Sequence, residues 1–221
     1  MAGRRPRDGW LRDERIATLD VADGSDVADD AELDAVVLHD VDLRDVGASD
    51  VALRDCALER VDVCGARLVR LTTDSVRLDD CDLANGSWPG ASLQWTEIRG
   101  ARGTGLELAE ASLRHVVFRN CRLDLASLRF ANGEDVRFED CTLSDADLTG
   151  AVLRDAAFVR CDLRRADLTS ADLDGADLTT STLDELRGVG GLRGARVWPE
   201  QLVALAPLLA AHVGIVVEPG D

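Results

Sequence analysis

Residues Ala166 to Thr180 read ADLTS ADLDG ADLTT, three units with a period of five. The leucines at 168, 173 and 178 are the centres of these units. Stepping by fives from Leu33 to Leu183 gives 31 consecutive units without a slip, and the centre is Leu, Ile, Val, Phe or Trp in 27 of them. The exceptions are Ala48, Thr73, Gly103 and Gly133. The position two before the centre is Ala, Val, Leu or Cys in 28 of the 31 units, and the exceptions there, Gly86, Thr96 and Ser181, are small.

Neither regular structure alone fits this period. On a helix, five residues advance about 500°, so the leucines would sweep around every side. On a flat strand, an odd period sends successive leucines to opposite faces. Both apolar columns point inward only if the chain bends once per unit. Three residues then run in–out–in and two form a corner. Four corners close a coil of 20 residues. Cys81, Cys121, Cys141 and Cys161 recur at multiples of 20, and so do Phe118, Phe138 and Phe158. The sequence therefore predicts an all-β, four-sided solenoid of about eight coils, roughly 37 Å long at about 4.8 Å per coil.

Composition agrees. The 221 residues are 46% hydrophobic yet only 4% aromatic, which suits a thin core of small aliphatics. There are 42 acids against 25 basic residues, a formal net charge of −17. Such a charge argues against binding nucleic acid or an anionic membrane and favours cationic partners. The repeats from 31 to 183 hold 29 acids and 17 arginines, a net of −12. B-DNA carries one charge per about 1.7 Å of axis, and this rod carries one per about 3 Å. The acids are purest toward the two ends of the repeats.

Three segments are expected: a flexible basic start and N-terminal cap at 1–30, the repeats at 31–183, and an irregular coil, helix and tail at 184–221. Past Leu183 the phase slips, with Ala195 and Val197 in a new register. Pro199 and Glu200 open a helix well, and Pro207 should kink or shorten it. A short strand is expected at 213–217. Leu202, Leu205, Ala206 and Leu209 form an apolar stripe at helical spacing. That stripe either only caps the solenoid end or also pairs with a second copy. Residues 202–217 are too short and too broken to span a bilayer, and no apolar stretch follows the basic Met1–Arg7, so a cytoplasmic location is expected.

Five cysteines (56, 81, 121, 141, 161) occupy the inward column and read as small hydrophobes. Cys64 lies outward and is the expected accessible thiol. The three histidines are far apart, no zinc or calcium spacing appears, and no nucleophile–base pair is visible. The chain is therefore expected to be non-enzymatic, with no cofactor, metal or nucleic acid. Trp88, beside Gly86, looks like volume compensation in the core. Gly103 and Gly133 suggest bulges or local thinning. Trp95, Leu125 and Phe130 fall on nominally exposed corners.

The repeat resembles the pentapeptide-repeat family, whose consensus is A(D/N)LXX, over Ala31 to Leu183. The resemblance implies a right-handed quadrilateral β-helix. Gyrase-binding, Qnr-type fluoroquinolone-resistance members of that family are acidic dimers joined through a C-terminal helix. The resemblance thus implies a DNA mimic that binds a type II topoisomerase, DNA gyrase, and either inhibits it or protects it from quinolone-like poisons. Asp167, Asp172, Asp174 and Asp177 would form the partner-binding acidic face, near a dimer interface at Leu202, Leu205, Ala206 and Leu209. The alternatives are a general protein-interaction scaffold, or a self-immunity protein of a biosynthetic cluster.

Overall fold

The computed structural model describes residues 13–216. The basic start, residues 1–12, and the tail after 216 lie outside the described residues. The chain winds into a β-solenoid of about seven turns closed by one short C-terminal helix. A four-residue helix α1 (Asp13–Ile16) precedes β1 (Asp20–Ala22), β2 (Glu32–Asp34), β3 (Val36–His39), β4 (Gly47–Ser49), β5 (Ala52–Arg54) and β6 (Ala57–Glu59). There follow β7 (Arg67–Val69), β8 (Thr72–Asp79), β9 (Ser92–Arg99), β10 (Ser112–Arg119), β11 (Asn132–Glu139), β12 (Ala157–Val159) and helix α2 (Pro199–His212).

Pairing is parallel, and residue i lies opposite residue i+20: Leu33 on Leu53, Ala48 on Leu68, Phe118 on Phe138. The coil of 20 is thus observed directly. Only the ends depart from it. Ala22 pairs with Leu38, an offset of 16, so the first coil is shortened. Asp177 pairs with Arg196, an offset of 19, after a 3-10 turn at Val189–Leu192.

We number the sides by their centres. Side 1 carries Leu43 and Val63, side 2 Ala48 and Leu68, side 3 Leu33 and Leu53, side 4 Leu38 and Leu58. Every fifth residue from Asp30 to Gly175 has a left-handed backbone, with φ between 50° and 60° at the non-glycine positions. This is the corner. Of these 30 residues, 18 are Asp, Asn or Gly, the types that enter that region most readily. The inner columns are almost fully buried and form one continuous core. Phe118, Phe138 and Phe158 stack with centroids 4.9 and 5.0 Å apart.

The empty centres are not bulges. Gly133 lies within β11 in unbroken register, and a Cβ there would meet Leu153 Cδ2 at 2.5 Å and Val136 Cγ2 at 2.7 Å. Neighbouring side chains fill the space instead. Trp88 is 2% exposed, and a Cβ on Gly86 would approach its indole nitrogen to 3.3 Å, as volume compensation requires. A cavity of about 30 Å³ remains beside it, lined by Thr73, Thr96, Leu53, Leu58 and Ile98 among others.

Helix α2 runs through Pro207 instead of stopping there. Pro207 and Val203, whose carbonyl loses its helical donor, are both exposed, so water can take the free acceptor. Gln201 anchors the helix: its side-chain oxygen accepts from the Trp198 N–H at 2.7 Å, and its amide donates to the Leu178 carbonyl at 2.8 Å. Residues 213–216 form no strand, correcting that expectation for the described part of the segment.

Candidate interaction surfaces

The four aspartates singled out from the sequence do not share one face. They are spaced so that Asp167 falls on side 2, Asp172 and Asp174 on side 3, and Asp177 on side 4. Strand register shows this, since Asp167 aligns with Asp147, Asp172 with Val152 and Asp177 with Ala157. They form a partial girdle near the C-terminal end. Three are near a guanidinium. Arg154 Nε donates to Asp172 at 2.7 Å, Arg196 lies 3.4 Å from Asp177, and Arg187 lies 3.7 Å from Asp167. The Arg154 bond holds the Asp172 carboxyl below the usual carboxylate range, and bonds from Thr179 do the same for Asp177. Asp174 has no guanidinium within reach among the described residues.

This pairing is general. Corner residues 20 apart stack, so Asp–Arg pairs recur along the rod: Asp40 with Arg60, Asp140 with Arg160, Asp145 with Arg165. Within a turn, Arg44 grips Asp42 and lowers its pKa to about 2. Side 4 carries the most buried charge. Glu97 is 1% exposed and meets Arg99 at 2.6 Å and Arg119 at 3.0 Å, and Arg119 also reaches Glu139 at 3.0 Å. The repeats' net of −12 is therefore spread unevenly. Within 31–183, side 3 holds nine acids against three arginines, a net of −6, whereas each other side nets −2; Asp184 and Glu185, which complete the last unit of side 1, bring that side to −4.

The helix divides its stripe between two roles. Leu205 is 1% exposed and Leu209 is half-buried, both against the last coils of their own chain. Leu205 is buried in the cap of its own chain, so its side chain does not lie on the outward side of the helix. Leu202 (46% exposed), Val203 (80%) and Ala206 form the outward side, continued by the exposed Trp198, Val213 and Ile215. The helical spacing of the stripe does not reveal which of its residues the solenoid end covers.

Leu125 and Phe130 are 61% and 56% exposed, as their corner positions suggest. Arg129 lies 5.4 Å from the Phe130 centroid, and the ring rests over Gly150, where a Cβ would clash at 2.4 Å. Trp95 is half-buried instead, stacked on His115 at 3.8 Å. Burial pushes the Cys81 thiol up to about 12, while the bond to the neighbouring Cys141 sulfur, with burial second, raises Cys121 and Cys161. Cys64 is half-buried, with ligand atoms of Asp62 and Asp82 within 4.8 Å. Both carboxylates are already balanced, Asp62 by Arg44 at 3.5 Å and Asp82 by Arg102, whose Nε donates at 2.9 Å.

These features define a class: a parallel β-solenoid that presents long, charged, ladder-like sides. Residues 107–150 and 146–184 match the family model described as pentapeptide repeats (8 copies), over about a third of the chain. No curated protein sequence matches it. Among solved structures, a trypsin-treated variant of QnrB1, a plasmid-mediated fluoroquinolone resistance protein, is similar at 16% identity and a TM-score of 0.36, covering 85% of this chain and 100% of that one. HetL, a pentapeptide repeat protein involved in heterocyst differentiation regulation from the cyanobacterium Nostoc sp. strain PCC 7120, is similar at 21% identity and a TM-score of 0.32, covering 73% of this chain and 91% of that one. No helix among the described residues is long and apolar enough to cross a membrane.

Proposed function

We propose that the chain is a non-enzymatic, cytoplasmic binding protein that imitates nucleic acid and occupies the basic DNA-binding surface of DNA gyrase. The observation that carries this reading is the net −12 on a straight, stacked rod. Its carboxylates stand on rigid backbone rather than on a flexible tail. A partner therefore loses little conformational entropy in meeting them. Pre-organised negative charge competes for a basic cleft by the same electrostatics that draw DNA to it. The family resemblance supplies gyrase as the target. Two copies would join through the outward side of the helix at Leu202, Val203 and Ala206, doubling the number of carboxylates presented.

The test is a supercoiling assay with purified gyrase, with and without a quinolone. Inhibition of supercoiling, or relief of quinolone-stabilised cleavage, supports the reading. No effect together with no binding at low salt refutes it. Exposed Leu125 and Phe130 favour a second reading, a protein-interaction scaffold with apolar anchors. Salt separates the two: a mimic loses affinity steeply with ionic strength, and an apolar contact does not.

A further inference from the structure

We propose that side 3 is the surface that meets the partner, and that the occupant is a groove lined by arginine and lysine that otherwise seats a nucleic-acid strand. The inference rests on the proposed mimicry and assigns it to one side of the rod. Side 3 supplies half of the repeats' net charge. Its nine carboxylates over about seven turns average one per about 4 Å, near the 3.4 Å spacing along a single DNA strand, although segments 91–95 and 111–115 carry none.

Four of the nine carboxylates of side 3 are free of internal ion pairs among the described residues. One outward column runs Asp34, Arg54, Asp74, Gln94, Arg114, Glu134 in strict register. Among the described residues its arginines reach only Glu32 at 3.6 Å and Glu134 at 3.4 Å. Asp34, Asp74, Asp155 and Asp174 have no guanidinium within 4.0 Å among the described residues. On side 4, by contrast, Glu97, Arg99, Arg119 and Glu139 are ion-paired with one another. On side 1, Asp42, Asp62, Asp82, Asp145 and Asp162 are each held by an arginine, and among the described residues Asp45, Asp124, Asp184 and Glu185 are in no ion pair, which makes that side the matched control. Side 2 presents small neutral residues such as Ser87, Pro89, Ala109 and Ser127 among five acids and three arginines, a net of −2. Charge complementarity therefore selects side 3. A cationic partner gains from its free carboxylates without first breaking internal pairs.

Two triple variants of equal charge test this on the full chain: Asp74→Asn, Asp155→Asn, Asp174→Asn on side 3, and Asp45→Asn, Asp124→Asn, Asp184→Asn on the opposite side 1. Asparagine is tolerated at the left-handed corners 45 and 155. The side 3 set should weaken gyrase binding at low salt by about tenfold or more, and the side 1 set by less than about threefold. Equal losses, or a larger loss from side 1, overturn the assignment. If wild type does not bind gyrase, the mimicry of that enzyme fails, but retention on immobilised poly-L-lysine still decides the side. The side 3 variant should elute at lower salt than the side 1 variant, and co-elution of the two overturns the proposal.

Discussion

The Cys161 N–H donates to the Ser181 Oγ at 3.0 Å, and that hydroxyl donates onward to the Phe158 carbonyl at 2.8 Å. Thiols fill the same place in earlier coils. Cys121, Cys141 and Cys161 donate to the carbonyls of Ile98, Phe118 and Phe138 at 3.4, 3.5 and 3.3 Å. They also accept from the backbone N–H groups of Ala101, Cys121 and Cys141. Each side chain bridges a gap in the backbone ladder at the corner between sides 4 and 1. Inward cysteine is therefore more than a small hydrophobe.

Cys141→Ala should accordingly cost about 1–3 kcal/mol, because it strands a buried donor and a buried acceptor. Cys141→Ser should cost less than half as much, since Ser181 already makes both bonds. Urea unfolding compares them. Equal losses would assign the effect to packing alone.

Thr73 interrupts a column of leucines and borders the core cavity. Its hydroxyl bonds Thr96 Oγ1 at 2.6 Å, and Thr96 itself donates to the Gln94 carbonyl at 3.1 Å. Thr73→Leu leaves that second bond intact and fills space, so it should stabilise the chain by about 1 kcal/mol. A lower Tm in thermal unfolding would mean that the cavity cannot accept the added volume.

The two sides of α2 should separate cleanly. Leu205→Ala opens the cap and should cost about 2–5 kcal/mol. Val203→Asp, on the outward side, should change stability by less than about 0.5 kcal/mol yet halve the mass in light scattering. A wild type already monomeric, or a Val203→Asp dimer, contradicts the proposed pairing.

The Arg44 bond lowers Asp42 to about 2 from an ordinary 3.8. Its folded pKa is depressed, so the pair stabilises the fold above the ordinary carboxylate pKa. That contribution is lost as pH falls from about 3.8 toward about 2. Arg44→Gln should return Asp42 to the ordinary range in a carboxyl NMR titration. An unchanged low value would place the cause elsewhere.

The fold was legible because a period of five admits so few chain paths, and the coil of 20 was already written in the cysteine and phenylalanine spacings. The left-handed corners were legible in kind, since Asp, Asn and Gly crowd every fifth position. The candidate site was less so. Residues five apart, such as Asp167, Asp172 and Asp177, look adjacent in sequence but turn a corner at each step. Counting by twenties, rather than along the chain, reveals side 3. Leu205 and Leu202 are equally apolar, and only the solenoid end against which α2 packs distinguishes them. Gln201 carried no sequence signal for its bond to Leu178, because that carbonyl lies 23 residues away.

The central claim is competition with DNA for a basic surface. Its most direct test is the affinity of the full chain for purified gyrase between 50 and 200 mM salt, with a duplex DNA as competitor. The account predicts binding that DNA displaces and that weakens by about tenfold or more across that range. Binding that is indifferent to salt and to DNA, or no binding at 50 mM, would contradict it.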